Sequence, residues 1–286
     1  DGIRHFCLSR GLGDVYKRQD IYFEASVGGG MPIIRSLKVG YSANLIQSIY
    51  GILNGTCNYI LTKIEEEGME FKVALKDAQE KGFAEADPTM DISGLDAAYK
   101  LVILAAVAFK VDIKLEDVTY QGIESVSLKD VHHAKDFGYT IRLLATGCYS
   151  STDSMSFKVF PTLVPSSHPL ANVRNEFNAL FTTGNAMGEA MIYGKGAGSL
   201  PTGSAVVSDI MDIAFDYKLG KAGKDNRNLE MEFNTVKITP YSETESRFYL
   251  RFSVKDELGV LQKITQIFDQ QSVSILKINQ HEGCLL

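Results

Sequence analysis

The sequence predicts an α+β fold in which helices cover a mixed sheet, and three observations predict it. Four strand-length segments bounded by turn residues crowd between residues 140 and 196. Segments with the apolar spacing of helices precede and follow them, so strands and helices share one region and must layer around a common core. Finally, 45% of the 286 residues are hydrophobic, ample for a sizeable core and for two or three globular units.

In chain order, "IYFEASVGGGMP" reads as a strand running into a glycine loop. Pro32 then opens a short helix, "PIIRSLKV", at the first-turn position where its missing N–H costs nothing. "NLIQSIYGILN" alternates as a strand. Helices follow over 56–67 and 71–81, and the second spaces Phe71, Ala74, Leu75 and Ala78 along one buried face. A long helix is expected over 95–109, apolar almost all round after Lys100 in "LVILAAVAF". Beyond a loop with "DVTYQGIESVSLKDV" come the strands "TIRLLATGCY", "SMSFKVFPTLV", "NALFTTGN" and "EAMIYGKG", the last two joined as a hairpin through 184–188. "GAGSLPTGSAVVSDIMDIAF" returns to helix, with Ser208, Asp209 and Asp212 on its polar side. Residues 218–246 turn polar and read as a connector, and 247–286 read strand, glycine turn, helix, strand.

The ends differ from the middle. Residues 1–19 carry no helical or strand period and read as a leader unrelated to the fold. The chain stops at "NQHEGCLL", inside what reads as a strand, so a piece of a longer protein is expected.

A net charge of -6, with its basic residues dispersed, offers no stripe for phosphate neutralisation and argues against nucleic acid. No apolar run reaches the roughly 18 residues of a membrane span. Cys7, Cys57, Cys148 and Cys284 lack both metal-site spacing and disulfide-scaffold density, and read as the reduced thiols of a cytoplasmic protein. His132 and His133 sit in a polar loop and His168 precedes Pro169; all three read as structural or exposed.

The chemistry concentrates in "GFAEADPTMDISGLDAAYKLVILAA". With Gly94 at the helix start, Asp96 and Lys100 fall at i and i+4, so both heads can serve one ligand. A bland reading competes: Ser93 and Asp96 match a capping box, and an exposed Asp–Lys pair is worth only ~0.3 kcal/mol. Against it stand the buried setting, where a lysine suits proton transfer, and the crowd of Glu85, Asp87, Asp91 and Asp96. Such a crowd is costly unless a cationic group or polar ligand shares the space. A substrate bearing an ammonium group would suit it. The other glycine stretches are weaker signals: "VGGG" alone reads as a flexible turn, and "GKGAGS" has Ser199 where a dinucleotide fingerprint needs its third glycine.

Together, "FEASVGGGMPII", "ILNGTCNYIL", "GFAEADPTMDISGLDAAYKLVILA" and "GKGAGSLPTGSAVVSD" resemble homoserine dehydrogenases, in order and over roughly residues 22–215. The tail, with "VKDELGVLQKI", resembles the first half of an ACT domain. The resemblance implies a substrate-binding and catalytic domain over 20–217, the connector over 218–246 and an incomplete ferredoxin-like ACT domain over 247–286. The family's nucleotide-binding Rossmann domain is expected to be largely absent. The implied reaction is the NAD(P)-dependent interconversion of L-aspartate 4-semialdehyde and L-homoserine in threonine, methionine and isoleucine biosynthesis.

Residue by residue, the resemblance gives Lys100 the proton transfer at the substrate oxygen. It gives Asp96 the orienting of the substrate, Asp91 and the Gly55–Thr56 backbone further substrate contacts, and Glu85 the substrate ammonium. Gly196 and Ala197 would touch the nicotinamide end of NADP or NAD. Glu24 and the backbone carbonyls of Val27, Gly29 and Met31 would hold a sodium ion, for which hard oxygen donors and turning glycines are suited. Gly203 stands where the family usually has alanine. A homodimer or higher homo-oligomer and an amino-acid effector at the ACT-like tail are also implied. The contrasting expectation is a non-catalytic module that binds an amino acid or oligomerises, which would not need the carboxylate and lysine cluster.

Overall fold

The computed structural model describes residues 21–221, 233–255 and 257–280. The expected leader over 1–19, residues 222–232 of the connector and the last six residues lie outside them. Contacts divide the chain into two compact units, 1–246 and 247–286.

The first unit is built on a mixed sheet of seven strands among the described residues. Strand β1 (Ile46–Ile52) lies in its middle because both its faces are apolar: Ile46 and Ile49 join a large core, Ile52 a smaller one. It pairs antiparallel with β3 (Tyr139–Ser151) on one side and β5 (Phe177–Gly184) on the other. β4 (Ser154–Pro165) continues beyond β3, and β6 (Gly188–Lys195) forms the opposite edge. Two short strands, β2 (Thr119–Tyr120) and β7 (Lys237–Ile238), run parallel to β4. The alternation of β3 partitions the cores, with Ile141, Leu143 and Ala145 in the large one and Leu144 in the small one.

The large core is filled by helices. After α1 (Ile33–Arg35) come α2 (Gly55–Glu67) and α3 (Phe71–Glu80), the latter burying Ala74 and Ala78 as its spacing predicts. A single turn, α4 (Thr89–Ile92), leads to α5 (Leu95–Phe109), which buries Leu101, Ile103, Leu104 and Phe109 among others. Each such side chain contributes roughly 1.5–3 kcal/mol by leaving water. Phe109 meets Tyr149 and Phe157 of the sheet edge-on, at 6.1 and 6.0 Å. Helix α6 (Leu128–Asp136) starts at a true capping box between Ser127 and Asp130. Helix α7 (Ser199–Lys218) follows β6.

Several local expectations are corrected. No strand forms at 21–26, where Glu24–Ser26 make a 3-10 turn, because the Glu24 carboxylate is drawn inward to accept from Ile34 N and Arg35 N, each at 2.8 Å. Pro32 precedes the first turn, which passes from α into a π-type turn over Ser36–Gly40. His132 and His133 lie on α6. The polar side of α7 is used for contacts with the N-terminal segment: Asp209 accepts from Glu24 N at 2.9 Å, part-exposed Asp212 pairs with Arg35 and Asp216 accepts from Tyr22 at 2.5 Å. The connector is partly pinned to the sheet, since β7 lies in it, Tyr241 stacks on Phe160 and Asn234 caps α5 through the carbonyls of Phe109 and Lys110.

In the second unit, helix α8 (Val260–Gln270) begins at Gly259, in the left-handed region at φ 87°. The strands expected around it are not formed among the described residues, which carry no ladder hydrogen bonds there.

Candidate active site

Three chain segments meet where β1 ends. Strand β1 hands over to Leu53, Asn54 and Gly55, and the carbonyl of Leu53 accepts from Lys100 Nζ at 2.9 Å. Lys100 also donates to Asp96 Oδ2 at 2.6 Å, the i, i+4 pair read from the sequence. Asn54 Nδ2 donates to that same oxygen at 2.9 Å and to Asp91 Oδ1 at 2.7 Å. One neutral amide thus separates two carboxylates that would otherwise repel. Its own Oδ1 accepts from Cys57 N at 2.8 Å and caps α2. The Ser93–Asp96 capping box does not form: Gly94 occupies the cap position at φ 81°, and Asp96 turns instead to Lys100 and Asn54.

The lysine and aspartate are only partly covered, at 22% and 27% side-chain exposure, so a ligand can reach them. Beneath them Cys57 is fully buried and donates to the Asp91 carbonyl at 3.1 Å. Burial, reinforced by the charges of Asp91 and Asp96, pushes its thiol well above the ordinary range, so it remains a protonated packing group.

Thr56 donates to the Phe83 carbonyl at 2.6 Å and so anchors the loop that carries Glu85. The Glu85 side chain is exposed, and among the described residues no hydrogen bond or ion pair holds it. Asp87, by contrast, is occupied by Thr89, whose hydroxyl and then N–H hold its carboxyl below the ordinary range.

The two glycine loops lie against each other. Gly30 N donates to Lys195 O at 3.1 Å, and a β-carbon on Gly30 would meet Pro201 at 2.8 Å. Glu24 is 6% exposed, and burial raises its carboxyl above the ordinary range against the pull of the Arg35 and Ile34 N–H groups. No cationic side chain hydrogen-bonds it among the described residues. Gly28 and Gly29 hold φ of 81° and 53°, turning successive carbonyls, while the Met31 carbonyl also accepts from Ile33 N at 2.7 Å. His, Cys, Asp and Glu form no group of three suited to a metal among the described residues, so any ion here rests on one carboxylate and backbone oxygens.

Asn178, on β5, joins the glycine loops to the lysine cluster. It is 1% exposed, its Oδ1 has no hydrogen-bond partner, and β-carbons on Gly55 and Gly196 would stand 3.5 and 2.5 Å from that oxygen. The structure therefore brings Asp96 and Lys100 together directly, Asp91 to them through Asn54, and Gly55 with Gly196 through Asn178. Sequence reasoning missed Asn54 and Asn178. Asn54 left one usable sign, an N-cap residue just before a helix.

With this geometry in hand, the chain can be set beside known proteins. The homoserine dehydrogenase family profile matches residues 32–211. A homoserine dehydrogenase of Bacillus subtilis is 44% identical over 261 residues, covering 91% of this chain and 59% of that protein. One from Helicobacter pylori is 42% identical over 269 residues, covering 93% and 62%. The crystal structure of a homoserine dehydrogenase from Thiobacillus denitrificans superposes with a TM-score of 0.82 at 37% identity, over 90% of this chain and 60% of that one. The chain thus spans about three fifths of the relatives it matches.

Proposed function

Because the chain belongs to the homoserine dehydrogenase family, we propose that it supplies the substrate-binding and proton-transfer part of an NAD(P)-dependent homoserine dehydrogenase, interconverting L-homoserine and L-aspartate 4-semialdehyde. The observation that carries this reading is the setting of Lys100. Its ammonium spends two N–H groups on Asp96 and the Leu53 carbonyl, which leaves one of its three donors for a substrate oxygen. In the reducing direction Lys100 passes that proton to the aldehyde oxygen, and in the oxidising direction it takes the proton back from the hydroxyl. The nicotinamide, when bound, supplies or accepts the hydride. Exposed Glu85 is free to meet the substrate ammonium, with Asp91, Gly55 and Thr56 as further contacts.

Gly196 and Ala197 border the nicotinamide end. The unpartnered Asn178 oxygen beside Gly196 fits a polar ligand there. For the sodium ion, the buried Glu24 carboxylate is hydrogen-bonded by backbone N–H groups alone, with Arg35 felt only through its charge, and the Val27, Gly29 and Met31 carbonyls would supply the remaining oxygen donors.

For the tail, helix α8 entered through Gly259 supports an ACT-like unit that takes an amino-acid effector. Calorimetry in which no amino acid gives heat would remove that effector. Apolar residues exposed on α7, such as Val207, Ile210 and Met211, support a homodimer, and a strictly monomeric mass by light scattering would refute it. Among the described residues no helix is long and apolar enough to cross a membrane; a cytoplasmic location is part of the proposal, and fractionation of cells would check it.

The deciding experiment is homoserine oxidation with NADP and NAD, followed at the nicotinamide absorbance. It compares this chain with the same chain joined behind a family nucleotide-binding domain. Turnover in the fusion is expected; a folded, cofactor-binding fusion that stays silent would overturn the proposal.

A further inference from the structure

We propose that Asn54 is the positioning residue of the proton-transfer pair, fixing Asp96 where it must stand to hold Lys100. The inference rests on the reading of Lys100 given above, but its geometry stands apart from it. Asp91 and Asp96 point at one place, and two carboxylates sharing a site disfavour each other's charge. Asn54 answers with both amide protons, 2.7 Å from Asp91 and 2.9 Å from Asp96, and adds no charge of its own. It is 5% exposed, and the network dictates its orientation. A flipped amide would set its oxygen against two carboxylates and its NH2 against the N–H of Cys57, which now donates to it at 2.8 Å.

The shared acceptor is the informative detail. Asp96 Oδ2 receives both Asn54 and Lys100, the latter at 2.6 Å. With Asn54 removed, Asp96 would be held only by a lysine one helical turn away on a flexible stem, free to swing with it. Lys100 would then keep a firm tether only to the Leu53 carbonyl. Asn54 follows Leu53 directly, so one short turn fixes the lysine from two directions. Displacing a reacting group by about 1 Å can cost on the order of 100-fold in rate.

Two variants separate this role from the capping role. Asn54→Asp keeps an oxygen for Cys57 N and the side-chain shape, but loses both donors and adds a third carboxylate. Asn54→Ser also keeps a cap, but is too short to bridge the aspartates. In this chain joined behind a family nucleotide-binding domain, Asn54→Ser is expected to melt within a few degrees of wild type, and Asn54→Asp lower, because it crowds a third carboxylate against Asp91 and Asp96. Their kcat for homoserine should fall by roughly 30-fold or more, while KM rises by a smaller factor through Asp91, which the same amide holds and which is also placed against the substrate. Unchanged kcat, or a rise in KM that accounts for the whole loss, would overturn the proposal. A crystal structure of Asn54→Ser supplies a readout that needs no substrate: Asp96 is expected to leave Lys100, and an unaltered pair would overturn the role. Should the wild-type protein fail to oxidise homoserine, the proposed function falls, while the crystal structure still decides the role of Asn54.

Discussion

Gly29 and Gly196 meet backbone to backbone: a β-carbon on Gly29 would stand 2.5 Å from the Gly196 carbonyl oxygen. Gly29 also holds φ 53°, in the left-handed region. Gly29→Ala should therefore cost the ~1–2 kcal/mol of left-handed strain plus the displacement of a loop. Gly68, at φ 65° with open space around it, isolates the first term. Urea unfolding should show Gly29→Ala clearly more destabilised than Gly68→Ala; equal midpoints would mean the loops part without cost.

If Lys100 carries the proposed proton, its loss should tell on turnover far more than on stability, since its two bonds are to a carbonyl and a part-exposed carboxylate. Lys100→Ala in the chain joined behind a family nucleotide-binding domain should lower kcat by about 100-fold or more while cofactor binding and the melting profile survive. Glu85→Ala should act mainly on KM. Retained turnover in the first, or retained KM in the second, would take that residue out of the mechanism.

Sodium makes a prediction of its own. If Glu24 holds the ion, sodium chloride should raise the melting temperature above that in choline chloride at equal ionic strength, since a ligand of the native state stabilises it. Glu24→Gln should abolish the difference. An equal response of both proteins to sodium would place the ion elsewhere or nowhere.

Gly203 lies within α7 and a β-carbon there meets nothing within 4 Å. Gly203→Ala should stabilise the protein by up to ~1 kcal/mol, the helix propensity gained without a clash. A lower melting temperature in the variant would show that this face of the helix is covered.

Asp77 links acid to unfolding. Tyr59 at 2.6 Å and Lys81 at 2.9 Å donate to it, and these bonds, Tyr59 first, hold its carboxyl below the ordinary 3.8. A carboxyl depressed by folding adds stability above its unfolded value, and that stability is lost as pH falls through the folded value. The gap between wild type and Asp77→Asn should be full at neutral pH and close below about pH 4. A gap independent of pH from neutral to pH 3 would contradict the assignment.

How much of this was legible depends on whether the cause was local. Helix α5 and the Asp96–Lys100 pair were visible because apolar spacing and an i, i+4 relation lie within a few residues. Asn54 was not, because its acceptors come 37 and 42 residues later and an asparagine at the end of a strand has no period. Asn178 has meaning only once β5 and β6 bring it beside Gly55 and Gly196. The false strand at 21–26 has the same origin: the segment reads locally as a strand running into a glycine loop, but Asp209, 185 residues away, fixes the backbone of Glu24. The strands expected around α8 failed for want of ladder partners among the described residues, which no single segment can reveal.

The middle position of β1 also sets an order of events during biosynthesis. Ile49 emerges from the ribosome about a hundred residues before Gly147, against which it is registered, and Thr182 follows later still. At ~5–20 residues per second the strand waits roughly 5–20 s for its first neighbour. Throughout that time a segment with two apolar faces has no strand partner, and only the helices made before β3, α1 to α6, are on hand to shelter it. The long apolar helix α5, complete well before β3, is thus the largest apolar surface at hand to cover, for a time, the strand that will anchor the sheet.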